Sequence, residues 1–222
     1  MKILFIGNSH TYYNELPRMV RDLFASVGRR VEPVMQTEGG KGILYHCERK
    51  DILFNVRHGD YDVIVMQDKA SNFSAEEFSQ GMDTLAEKGL SRTGARRVLY
   101  MPWANRDKPW EQAAMTEAYR AAARKHNAAL APVGEIWHPL LVQHPDLPLY
   151  RDDGNHATPL GSYLAACTIF YTITGRVRPL QPADDDALIT RLELDPATCR
   201  MFHKAVCAGL KAFHAQSAAA AE

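Results

Sequence analysis

The chain has 222 residues, 46% hydrophobic and 23% charged, proportions that suit one soluble globular domain and leave too little length for two ample cores. Lysine plus arginine equals aspartate plus glutamate at 26 each, so the formal net charge is zero. That balance gives no basic footprint for a nucleic-acid partner and no acidic tail.

Lys2 to Gly7 opens the chain as an apolar run of strand length that stops at a glycine, the pattern of a buried parallel strand. Ser9 follows two residues later, at the end of a strand where α/β sheets gather reactive groups. Leu16, Met19, Val20, Leu23, Phe24 and Val27 have helical spacing, with Asn14 as a cap and Pro17 in the first turn. Gly28 is a stop signal. Arg30 to Met35 reads as the second strand, with Gly39, Gly40 and Gly42 directly after it. Helical spacing resumes through Leu44, Cys47, Ile52, Leu53 and Val56. Tyr61 to Met66 is a third strand ending at Gln67, and Ser74 with Glu77 forms a capping box for a helix towards Leu90.

Arg97 to Met101 is a fourth strand, ending at Pro102-Trp103-Ala104-Asn105. Pro109 suits the first turn of a helix reaching about His126. Ala129 to Val133 is a short fifth strand, and Glu135 to Val142 is helical. A loop from Gln143 to His156 precedes Thr158-Pro159, a threonine cap with proline at the first helical position, for a helix that ends at Gly175. The segment Arg178 to Asp195 leads to a last helix from Asp195-Pro196 to about Ala215, and Ala218 to Ala221 form a frayed end. Five strands alternating with helices predict an α/β fold, a mainly parallel sheet covered on both faces. One domain is expected, with its core over about 1–175 and a helical extension over about 184–216.

The N-terminus has one lysine and only four apolar residues before Gly7, which does not make a secretory signal. No run approaches the roughly 18 apolar residues of a membrane span. Cys47, Cys167, Cys199 and Cys207 lack CxxC spacing and read as free thiols, so a cytoplasmic protein with no membrane partner is expected.

Polar or glycine-rich loops follow four strands, at Ser9, Gly40, Gln67 and Trp103, and a parallel sheet places all four at one edge. Asp153-Gly154-Asn155-His156 supplies the complement. An aspartate three residues before a histidine, on a turn, can hold imidazole Nδ1 and leave Nε2 to take a proton from a serine.

Gly7-Asn8-Ser9-His10-Thr11 together with Asp153-x-x-His156 resembles the SGNH (GDSL-like) hydrolase superfamily. The match is nearest to an uncharacterised subgroup with Gly-Asn-Ser-x-Thr, a Gly-Gly before a histidine, and Leu-Gln-x-x-Ser. Here the corresponding residues are Gly39-Gly40, His46, and Met66-Gln67-Asp68-Lys69-Ala70-Ser71, with three residues rather than two between Gln67 and the serine. The resemblance covers roughly residues 1 to 175. It implies a three-layer α/β/α, flavodoxin-like fold and a serine esterase or acyl hydrolase without cofactor or metal. By residue, it makes Ser9 the nucleophile, His156 the base and Asp153 its orienter. The oxyanion would be held by the N–H groups of Ser9 and Gly40 (or Gly39) and by a third-block side chain. The usual Gly-x-Asn-Asp of that block is missing, so Gln67 is the candidate donor, with Asn72 as a later one.

His10 and Trp103 are weaker candidates for the mouth of a substrate pocket, and Trp103 equally suits a core cap. His46 reads as structural. Asp152, Asp153 and His156 lack a second histidine at ligand spacing, so no metal is expected. The substrate expected is a small-molecule or carbohydrate ester with a small acyl group such as acetyl. Two rival readings are a flavodoxin-like module whose Gly7 to Thr11 loop cradles FMN or a nucleotide, and a catalytically silent carbohydrate- or peptide-binding relic.

Overall fold

The computed structural model describes residues 1–183 and 186–219, the last three by backbone alone. The expected start of the extension near 184 and the final alanines at 220 and 221 lie outside those residues. The centre is a five-stranded parallel sheet of β1 (Lys2–Gly7), β2 (Glu32–Thr37), β3 (Val63–Met66), β4 (Arg96–Met101) and β5 (Ala129–Pro132). Its order is β2-β1-β3-β4-β5. β1 is flanked on both sides, with Ile3 opposite Pro33 and Val63, and Pro33 is tolerated because β2 is an edge.

The helices are α1 (Ser9–Tyr12), α2 (Leu16–Ala25), α3 (Ile43–His46), α4 (Lys50–His58) and α5 (Ala75–Lys88). They continue with α6 (Glu111–Lys125), α7 (Val133–Gln143), α8 (Pro159–Thr174), α9 (Ala187–Arg191) and α10 (Pro196–Ala219). The two-residue period of the strands sorts them into layers. Ile3, Phe5, Val63, Val65, Val98 and Tyr100 face a core shared with α2, α7, α8 and α10. Leu4, Ile6, Ile64, Met66, Leu99 and Met101 face another, shared with α3 to α6. No helix among the described residues is long and apolar enough to cross a membrane.

Most sequence boundaries stand within a residue or two. Ser74 Oγ accepts from the Glu77 N–H, Thr158 Oγ1 accepts from the Gly161 N–H, and Gly175 ends α8 in the left-handed region at φ 65°. Several readings need correction, among them the end of the last helix, which runs to Ala219 rather than stopping at about Ala215. β2 begins at Glu32 rather than Arg30. α6 begins at Glu111, so Pro109 lies ahead of it. α9 interrupts the segment expected to lead straight to the last helix, because the Asp186 carboxylate accepts from the Leu188 and Ile189 N–H groups. Asn14 caps nothing: it and Glu15 are both left-handed (φ 55° and 56°), which breaks the chain sharply between α1 and α2.

α8 is buried at every position from Gly161 to Ile173, which explains its lack of a polar face. α2 flanks it, and α10 packs Cys199, Phe202, Val206 and Leu210 into the same core. The C-terminal helices therefore cover a helix that would otherwise expose apolar surface. On the opposite face Gly81 lets α5 cross α3 closely. A Cβ there would stand 2.5 Å from the Leu44 amide nitrogen and 2.8 Å from its Cα. Gly81→Ala is therefore expected to lower the unfolding free energy by about 1–3 kcal/mol. A urea midpoint equal to that of the wild type would show that this crossing has slack.

Candidate active site

The site begins with how β1 ends. Gly7 has no room for a side chain, since a Cβ would overlap Thr11 Oγ1 and Gln67 Oε1. Past it, Asn8 turns the chain into α1 by accepting the His10 N–H on its side-chain oxygen at 3.1 Å. Gln67, at the end of the neighbouring β3, locks this turn. Its Oε1 accepts the Asn8 N–H (3.0 Å) and the Thr11 hydroxyl (2.8 Å), and its Nε2 donates to Asn8 Oδ1 (3.0 Å) and to the Asp68 carbonyl. Gln67 is wholly buried. Both hydrogens of its amide are spent inside the protein, so it does not offer the free oxyanion donor expected from the sequence. Asn72 is exposed in a left-handed turn at φ 52°.

The glycine-rich loop after β2 is tied to the same turn. The Glu38 N–H and His46 Nε2 both donate to the Gly7 carbonyl, at 3.1 and 2.8 Å, and Asn8 Nδ2 donates to the Lys41 carbonyl at 2.9 Å. His46 is fully buried, and burial lowers its pKa to about 4, so it is a neutral brace. The buried Asp68 carboxylate pins the far end of the loop, accepting the N–H of Ile43 (2.6 Å) and its neighbour Lys69 (2.7 Å). Gly42 leaves the space this carboxylate occupies. Between these anchors Gly39 and Gly40 are exposed, with Gly40 left-handed at φ 70°. Among the described residues the N–H groups of Ser9 and Gly40 donate to no acceptor in the fold.

A second anchored loop carries Asp153 and His156. The Tyr150–Ala157 bridge closes it. Trp103 Nε1 donates to the Asn155 carbonyl (2.9 Å), the Arg106 N–H to the Gly154 carbonyl (2.8 Å), and Asn14 Nδ2 to the Ala157 carbonyl (3.0 Å). The turn then folds Asp153 back on itself. Its Oδ1 accepts the N–H groups of Asn155 and His156, both at 2.9 Å, and its Oδ2 accepts from His156 Nδ1 at 2.6 Å. A carboxylate can only accept here, so Nδ1 carries the hydrogen and, in the neutral ring, Nε2 presents its lone pair. That lone pair lies 2.8 Å from Ser9 Oγ, across 147 positions of sequence. Partial desolvation raises the Asp153 pKa, but the hydrogen bonds from His156 and the two amides outweigh it and hold the carboxyl down to about 2.

His156 is packed between two rings that the sequence reading did not place there. Tyr13 lies at 4.6 Å between centroids, and His10 is stacked at 5.3 Å. His10 is buried beneath His156 rather than at a pocket mouth. Burial first, and the His156 charge second, lower its pKa to about 4. Its buried ring interacts with Asn155 and with Asn8 Oδ1, and no hydroxyl is bonded to it. Trp103 is likewise fully buried and stacks on Trp137 at 3.9 Å, which makes it a core brace and not a pocket wall. The tyrosine pair directly after Gly7-Asn8-Ser9-His10-Thr11 was the available signal for Tyr13.

No family model and no curated protein matches this chain. Solved structures do. A DUF4886 family protein from Bacteroides uniformis superposes with a TM-score of 0.74 at 18% identity, covering 95% of this chain and 94% of that one. An acetyl xylan esterase from Geobacillus stearothermophilus gives 0.62 at 15% identity, over 78% and 94%. The psychrotrophic esterase EstA from Pseudoalteromonas sp., in a structure inhibited by monoethylphosphonate, gives 0.58 at 13% identity, over 78% and 97%. The fold is that of the SGNH (GDSL-like) hydrolases, a five-stranded parallel sheet with helices on both sides.

The spent amide of Gln67 sets a clear expectation. Gln67→Ala leaves the Asn8 N–H and the Thr11 hydroxyl buried without acceptors, at about 1–3 kcal/mol for each. Urea unfolding should therefore show a loss of about 3 kcal/mol, whereas a dedicated oxyanion donor would lose turnover with stability intact.

Proposed function

With the SGNH-hydrolase fold as premise, we propose that the whole chain forms a serine ester hydrolase that removes a small acyl group, such as acetyl, from a small-molecule or carbohydrate ester. The observation that carries this reading is the unbroken chain from Ser9 Oγ through His156 to Asp153 at the carboxyl edge of the sheet. In the proposed reaction Ser9 Oγ bonds to the ester carbonyl carbon while its proton passes to His156 Nε2. The carbonyl electron pair moves onto oxygen, near the unspent N–H groups of Ser9 and Gly40. Collapse expels the alcohol oxygen, which takes the proton from Nε2 and leaves the acyl group on Ser9. Water then bonds to the acyl carbon as the same nitrogen takes its proton, and the acid leaves as the carbon–Oγ bond breaks and Ser9 Oγ takes that proton back. Asp153 holds Nδ1–H throughout and offsets the charge of the imidazolium. This route calls for no metal or organic cofactor.

Several features support the proposal against its rivals. A phosphate cradle at Gly7 to Thr11 would need free amides, yet the N–H groups of Asn8, His10 and Thr11 are already engaged within the turn. A silent binding relic gives no reason for Asp153 to orient the ring so that Nε2 meets Ser9. One similarly folded protein is an acetyl xylan esterase. The free and buried Cys47, Cys167 and Cys199 fit a reducing compartment, so we place the protein in the cytoplasm.

Labelling with a fluorophosphonate probe tests the reading. The wild type should label at neutral pH, while Ser9→Ala and His156→Ala should not, with circular dichroism unchanged in both. A wild type that stays unlabelled into mildly alkaline pH would sink the proposal. Asp153→Asn should slow labelling by at least about 100-fold, because the amide favours the wrong imidazole tautomer. Asp153 is held near 2, so its charge and its support of the loop persist as the pH falls from 7 and fade only as the pH approaches 2. His10, lowered to about 4, is neutral in the working range. His10→Phe should therefore keep every ionisation of the labelling profile between about pH 5.5 and about pH 9. An ionisation lost there would make His10 the base instead.

A further inference from the structure

The proposed oxyanion site is one donor short, because the Gln67 amide faces inward and both of its hydrogens are used. We infer that the Tyr12 hydroxyl supplies the missing hydrogen bond, beside the N–H groups of Ser9 and Gly40. The assignment rests on the hydrolase reading above.

Tyr12 lies three residues after Ser9 on α1, on the same side of that single turn. Its hydroxyl oxygen stands against Gly39, the neighbour of Gly40, at 3.1 Å from the place a Cβ would take. The phenol thus reaches from the helix of the nucleophile to the glycine loop. The ring is half-buried and held edge-on by Tyr13 at 5.2 Å, which limits where the hydroxyl can swing. Among the described residues the hydroxyl makes no hydrogen bond, although other tyrosines near the site do. Tyr100 donates to the His10 carbonyl, Tyr150 to the Ala104 carbonyl, and Tyr119 accepts from the Asp68 N–H.

The two adjacent glycines then have separate reasons to be glycine. Gly40 adopts a left-handed backbone, and Gly39 leaves room for the Tyr12 oxygen. Tyr12 keeps its proton through the reaction. It donates to the carbonyl oxygen as the Ser9 Oγ–carbon bond forms and negative charge collects there, and it relaxes as the alcohol leaves.

The test compares Tyr12→Phe and Gly39→Ala with the wild type, using 4-nitrophenyl acetate turnover and the rate of fluorophosphonate labelling. Tyr12→Phe should lower kcat and the labelling rate by about 100-fold with KM nearly unchanged. Its melting temperature should match the wild type, since the hydroxyl bonds to nothing in the fold. Gly39→Ala, whose methyl crowds the same oxygen, should slow the wild type but add little to Tyr12→Phe. Wild-type rates in Tyr12→Phe, or a change confined to KM, overturn the assignment and leave the hydrolase reading standing. A wild type that neither labels nor turns over the ester overturns both.

Discussion

The constraint on which the site depends is the pairing of two buried amides, Asn8 and Gln67. Each sits at the end of a strand, where the sheet stops satisfying backbone groups and loops must begin. Their exchange of hydrogen bonds closes β1 against β3, and the remaining atoms extend the network to Thr11, the His10 N–H and the Lys41 carbonyl. A buried polar group without a partner costs about 1–3 kcal/mol, so a network of this size is costly if it is incomplete. Complete, it fixes one geometry for the turn that carries Ser9. Gly7 belongs to the same solution, because any side chain there would collide with the amide and the threonine.

The second half of the site is held by a different kind of force. The loop with Asp153 and His156 has few apolar residues of its own, and its position is imposed by neighbours. Trp103 is fixed by its stack on Trp137 in the core, and it passes that rigidity to the loop through one hydrogen bond to Asn155. Asn14, in its left-handed turn, joins the chain just past α1 to Ala157 and to the Ser162 hydroxyl on α8. The separation of Ser9 from His156 is therefore set by two layers at once, the sheet through Trp103 and the helices through Asn14. A residue that costs backbone strain of the order of 1 kcal/mol is tolerable where it fixes such a distance.

The fold was legible because its signals are local. Two-residue alternation, the Ser74 and Thr158 caps and the Gly175 stop each act within a few residues. α9 was missed because a five-residue helix has too few positions to show a period, and its Asp186 cap resembles any acidic loop residue. The juxtaposition of Ser9, Asp153 and His156 was legible from residue type, order and resemblance. What could not be read was how each polar group is used. Gln67 has the chemistry of a donor, but only three-dimensional contact shows that Asn8 and Asp68 consume it. His10 and Trp103 looked available for the same reason, and burial removed both. Tyr13 contacts His156 from outside any motif.

The stack of His10 on His156 bears on the charge that the proposed reaction would create. Two imidazoliums with centroids 5.3 Å apart would repel one another. Burial already disfavours charge on His10, and that repulsion pushes in the same direction, which agrees with its lowering to about 4. Above about pH 4 the buried ring of His10 is neutral, so the imidazolium of His156 faces one opposite charge, Asp153, and no like charge from its stacked neighbour. A lysine or an exposed histidine beneath His156 would oppose proton uptake from Ser9. The buried histidine instead gives a flat, polarisable support without a competing charge, and the serine's proton has a single destination.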